Sequence, residues 1–116
     1  MDIHNYQGRF ERTLLNIKNS EDLLKENKRI ILNFKDYCLS EGIGVAKIER
    51  YLTDMMKFSR MLNKPFPKAT KDDIRKVLGD LNQGTLSEET KKCFKVMIRK
   101  LYRFIKIFEK RVKRTL

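Results

Sequence analysis

SEETKKCFKVMIRKLYRFIKIFEKR, residues 87–111, reads as one long helix with two stripes on opposite sides. Phe94, Ile98, Leu101, Ile105, Phe108 and Val112 recur at steps of four, three, four, three and four, which keeps them on one face at 3.6 residues per turn. Lys92, Lys95, Arg99, Arg103, Lys106 and Lys110 recur at three, four, four, three and four. Their mean direction lies roughly 160° away around the same helix. One side is built for burial. The other is a row of positive charge on the order of 27 Å long. Solvated helix faces usually mix signs, because Glu and Lys four apart support one another. This row holds no acid, so it reads as a surface for something polyanionic.

Upstream, the same periodicity predicts three or four shorter helices and an all-α, compact bundle of four to five helices. A first helix over residues 6–17 would bury Phe10, Leu14 and Ile17. Asn19-Ser20-Glu21-Asp22 has the composition of an N-cap and opens a helix to about Ser40. Leu24, Ile31, Phe34 and Cys38 share one face of it, with Leu23, Ile30 and Tyr37 beside them. Gly42 and Gly44 end it. A third helix, residues 45–62, turns Ile48, Tyr51, Leu52, Met55, Ser59 and Leu62 inward. Pro65-Phe66-Pro67 is a rigid connector that offers Phe66 as a plug. Thr70-Lys71-Asp72-Asp73 has capping-box form and starts a short fourth helix, with Ile74, Val77, Leu78 and Leu81 as its apolar face. Gly84 ends that helix and Thr85-Leu86-Ser87-Glu88 caps the last one.

A chain of 116 residues is expected to be large enough for a core without disulfide or metal staples. Its hydrophobic fraction of 41% beside 36% charged, with five Gly and two Pro, reads as soluble and helix-rich. No apolar run reaches the roughly eighteen residues of a membrane span, and residues 1–5 lack a signal peptide's apolar core. Cys38 and Cys93 read as small buried hydrophobes in a reducing, cytoplasmic setting. The net charge of +12 is unevenly spread. Residues 1–44 hold seven Lys and Arg against seven Asp and Glu; residues 45–86 hold nine against five; residues 87–116 hold eleven against three. Concentrated positive charge is the footprint of a polyanion-binding surface.

From Val45 onward the order of motifs resembles one family. Lys47-Ile48-Glu49-Arg50-Tyr51-Leu52 with Met55 and Phe58 is similar to the T-x-x-x-Y-x-x-x-L-x-x-F helix of tyrosine recombinases, the phage integrases and Xer-type enzymes, with Lys47 where Thr is usual. Ala69-Thr70-Lys71-Asp72-Asp73-Ile74 resembles their hydroxyl-x-x-D-I helix start. Leu86-Ser87-Glu88-Glu89-Thr90 resembles the L-S-x-x-T entry to their last helix, and residues 99–105 the R-x-L-Y-x-F run inside it. The stretch around Asn19-Ser20-Glu21-Asp22 resembles the N-termini of archaeal integrases. The resemblance implies a SAM-like core-binding domain over residues 45–108, preceded by an N-terminal helical extension over residues 1–44 that packs on the bundle. Residues 109–116 would be a basic linker toward a catalytic domain in cis. Such a domain grips one side of double-stranded DNA for integration or recombination while the catalytic domain clamps the other.

The candidate DNA-binding residues are Lys47, Arg50 and Lys57 on the third helix, with Thr90, Lys91, Lys92, Lys95, Arg99, Arg103 and Lys106 on the last. Lys and Arg would mainly meet phosphates, which supply affinity and register, whereas base edges supply specificity. Arg50, Lys95 and Arg99 are the better candidates for reaching guanine in the major groove. A helix N-terminus offers free N–H groups to phosphate near Thr90, Lys91 and Lys92, although Glu88 and Glu89 share that turn. The family's catalysis needs Arg, Lys, His-x-x-Arg and a Tyr nucleophile. His4 is the sole histidine, and Tyr6, Tyr37, Tyr51 and Tyr102 read as amphipathic helix residues. The chain is therefore expected not to be an enzyme by itself, to need no cofactor or metal and to avoid membranes. It should be a monomer when free, with any oligomerisation confined to DNA. The competing reading is a helical adaptor or regulator docking an acidic protein partner through the same face. A membrane-surface helix ranks below both, since the other apolar faces offer its stripe a core. RNA binding stays open, because phosphate contacts do not separate the two nucleic acids.

Overall fold

Every element in the computed structural model is helical: α1 (Tyr6–Asn19), α2 (Lys25–Ser40), α3 (Val45–Leu62), a 3-10 turn (Phe66–Lys68), α4 (Lys71–Gln83) and α5 (Glu88–Thr115). The structure describes residues 5–115, with side chains described as far as Phe108. Among them there is no strand, and the fold class is all-α. His4 and the side chains of Lys110 and Val112 lie outside the described residues.

The chain forms two compact units, Met1–Phe66 and Pro67–Leu116. In the first, α3 packs against both α1 and α2. Its inner face contains all six expected side chains and adds Met56 and Phe58, and α1, α2 and α3 all lie within this unit. The α1 face differs from expectation. Thr13 is buried where Leu14 is half-buried, because the Thr13 hydroxyl donates to the Glu49 carboxylate of α3 at 3.2 Å.

The start of α2 also needs correction. The helix begins at Lys25, after bends at residues 21–23, and its N-cap residue Leu24 offers no side-chain cap. Asp22 is committed elsewhere: it accepts from the Arg60 guanidinium of α3 at 2.7 Å and from the Ser20 hydroxyl. These bonds hold its carboxyl below the ordinary aspartate value, Arg60 more than Ser20. At its other end, α2 closes in a Schellman motif. Ile43 N–H reaches the Cys38 carbonyl and Gly42 N–H the Leu39 carbonyl, with Gly42 at φ 77°. Asn63, also left-handed at φ 52°, stops α3.

A buried asparagine fastens the connector after α3. Asn27 is 0% exposed; its amide donates to the Ser59 hydroxyl and the Lys64 carbonyl, both at 3.0 Å. Its carbonyl oxygen accepts from Phe66 N–H at 2.7 Å. Phe66 is fully buried as the expected plug and stacks on Phe58, ring centroids 5.5 Å apart and 5° from parallel.

In the second unit, α4 opens with the full capping box. Thr70 accepts from Asp73 N–H, and the Asp73 carboxylate accepts from Thr70 N–H. Val77 and Leu81 are buried, whereas Ile74 and Leu78 are only half-buried. The α5 stripe is wider than a simple alternation of three and four. Met97 and Phe104 are buried along with Phe94, Ile98, Leu101 and Ile105. The helical backbone continues through the residues expected to form a linker, to Thr115.

Candidate nucleic-acid interface

Burial of the α5 stripe fixes what its other side presents. Lys92, Arg99, Arg103 and Lys106 are exposed, and Lys95 is half-buried. None of these five forms an ion pair with any described residue. Residues 90–108 hold seven Lys and Arg and no Asp or Glu, so no acid on this length of helix offsets the row. Uncompensated cations at helical spacing can attract phosphates, and such attraction weakens as salt rises.

The first turn of α5 is built differently. The Ser87 hydroxyl accepts from Thr90 N–H at 3.2 Å and sits 2.9 Å from the Thr90 hydroxyl. The Lys91 ammonium donates to the Asn82 carbonyl at 3.2 Å and pairs with Glu88 at 3.4 Å. Its side chain is only 12% exposed. Thr90 and Lys91 thus belong to the joint between α4 and α5, and part of the N–H set that a phosphate would use is already capped. Lys92, exposed, is the member of that trio on open surface.

On α3, Lys47, Arg50 and Lys57 are all exposed. The Lys47 ammonium lies 6.0 Å from the Tyr51 ring centroid. Half-buried Asp54 interrupts the group. Desolvation raises its carboxyl above the ordinary aspartate value, while Arg50 and Lys57 pull the other way. Their charge is therefore partly spent on Asp54. The α3 group is weaker electrostatically than the α5 row.

Tyr102, one of the four tyrosines, is half-buried. Burial, with a smaller push from Asp73, raises its phenol to about 12. That makes it harder to ionise, the opposite of nucleophile activation. Cys38 is buried and Cys93 half-buried; both are free thiols, so the expectation of burial fits Cys38 better. Among the described residues no group of three or more His, Cys, Asp or Glu could hold a metal ion. No helix among them is long and apolar enough to cross a membrane.

Sequence reading missed the buried role of Asn27 and the clip of Lys91 to Asn82. Neither has a local signature, because each partner is fixed by tertiary folding. Comparison with protein-family models, with curated proteins and with solved structures finds no match.

Proposed function

We propose that the chain is a duplex-DNA-binding module that lays the Lys92–Lys95–Arg99–Arg103–Lys106 side of α5 along the phosphate backbone. The single observation carrying this reading is that row: five cations without an ion-pair partner among the described residues, opposite a buried apolar stripe. Lys47, Arg50 and Lys57 of α3 supply a second, weaker set. The motif order from Val45 onward supports the more specific reading, the core-binding domain of a tyrosine recombinase acting in DNA integration or recombination. In that case the Arg, Lys, His-x-x-Arg and Tyr of strand cleavage come from residues outside this sequence.

The test is titration of a short duplex over a series of salt concentrations. Phosphate contacts predict that log affinity falls linearly with log salt, by about 0.9 per contact. An acidic protein that competes as well as the duplex would favour an adaptor instead. For the recombinase reading, the decisive observation is whether coding DNA beyond codon 116 encodes the catalytic set.

A further inference from the structure

Within the second unit, Pro67 and Ala69 face the middle of α5 across an open groove of about 480 Å³. Pro67 and Ala69 line one side; Tyr102 and Ile105 come from the helix, with Arg103 and Lys106 beside them. The spacing explains the mixture. Tyr102 and Ile105 are one turn apart, and Arg103 and Lys106 repeat the same step one residue later. A strip of apolar carbon therefore runs next to a pair of cations. Neither cation is engaged by an acid among the described residues.

We propose that this groove is a binding site for a phosphate-bearing ligand of mononucleotide size, its phosphate held by Arg103 and Lys106 and its sugar or base lying on Pro67, Ala69 and Tyr102. The volume falls in the range of small-ligand sites, roughly 300–1,000 Å³. A bare inorganic anion would leave the apolar strip unused, whereas a nucleotide matches both halves. Arg offers a fork of donors to phosphate, and Lys adds a point charge. The phenol of Tyr102, protonated through the physiological range, adds no negative charge to repel the ligand. Because Arg103 and Lys106 also belong to the duplex-binding row, the inference deepens that reading and rests on it for the case in which the nucleotide is part of a DNA strand.

The experiment follows backbone amide shifts of the full chain titrated with deoxyadenosine monophosphate, with inorganic phosphate and with deoxyadenosine. The monophosphate should produce saturable shifts centred on residues 68–69 and 102–106, Pro67 having no amide proton, and bind more tightly than either fragment. Ala69→Phe, which fills the groove from a half-buried loop position, should abolish those shifts. Arg103→Gln should weaken binding about tenfold, the scale of one lost charge-assisted hydrogen bond. Lys76→Gln, an exposed α4 position outside the groove, should leave monophosphate binding unchanged. Equal binding of inorganic phosphate, shifts spread along all of α5, or retention of binding by Ala69→Phe in a folded protein would each overturn the proposal. A duplex arm then identifies the source. Loss of duplex affinity in Ala69→Phe means the groove takes a nucleotide of the bound strand, and unchanged duplex affinity means it takes a free nucleotide. Since the monophosphate arm contains no duplex, failure of the DNA reading would show separately, as absent duplex binding beside intact nucleotide binding.

Discussion

Asn27 has no exposed surface, yet it makes three hydrogen bonds that join α2 to Ser59 of α3 and to the connector at Lys64 and Phe66. An asparagine on an apolar helix face usually lowers stability unless its amide is satisfied. Here the amide supplies the partners that a connector turning inside the protein needs, and among the described residues no buried side-chain nitrogen or oxygen lacks one. Asn27→Ala would leave the Phe66 N–H buried without its acceptor. The expected loss is about 1–3 kcal/mol in urea unfolding, and a change below about 0.5 kcal/mol, the level of an ordinary surface substitution, would remove Asn27 from this role. Tyr102 gives a second test, through pH. Its phenol pKa rises from 10.0 in the unfolded chain to about 12 in the folded protein, chiefly through burial. The folded state holds that proton more tightly. The contribution is therefore complete below pH 10.0 and is lost as pH climbs toward about 12. Tyr102→Phe should flatten that alkaline decline relative to the parent chain. Parallel declines in the two proteins would mean that other groups carry it.

At the scale of elements, local signals set the helix boundaries wherever the partner lies within a few residues. The Thr70 capping box, the Gly42 stop and the Ser87 cap are all of this kind, and all form. The apparent cap at Asn19-Ser20-Glu21-Asp22 fails because Asp22 is drawn to Arg60, a residue 38 positions away. Sequence spacing cannot report that competition. The same reason explains Lys91, which belonged to the basic series on sequence but is held against Asn82 and Glu88. The row from Lys92 to Lys106 was legible, since an apolar stripe at helical period dictates what faces away from it. Its effect on binding is open to direct measurement. Lys95→Gln with Arg99→Gln should flatten the log–log salt dependence of duplex binding by about one to two units, at about 0.9 per lost phosphate contact. The control must remove the same charge from side chains with no structural task. Lys28 is unsuitable, because its ammonium holds the Lys18 and Ser20 carbonyls at the end of α1. Exposed Lys18 and Lys25, changed together to Gln, meet the requirement. Equal slope changes from the two pairs would show that overall charge, not the α5 face, governs binding.

For the molecule as a whole, the distribution of charge bears on the approach to a polyanion more than its total does. Residues 1–44 are balanced at seven against seven, whereas residues 87–116 carry eleven Lys and Arg against three Asp and Glu. If the chain binds DNA as proposed, the positive potential concentrated on α5 would steer its approach. Affinity is a separate matter. The α5 row offers five described cations, and the α3 group spends part of its charge on Asp54. Contacts of this kind reach phosphates more readily than base edges, and phosphate contacts alone give non-specific binding of roughly 10⁻⁴–10⁻⁶ M at physiological salt. We therefore expect the 116-residue chain to bind duplexes in that range, with little preference among sequences. It should also remain monomeric without DNA. Fluorescence anisotropy against two unrelated duplexes, with sedimentation of the free protein, checks both expectations. Tight binding that resists added salt would mean that buried or base-specific contacts dominate, and the phosphate-row account would then be wrong. A stable dimer in the absence of DNA would move the interface from one row to two and double the number of cations available, so the salt slope per chain would have to be read again from the dimer.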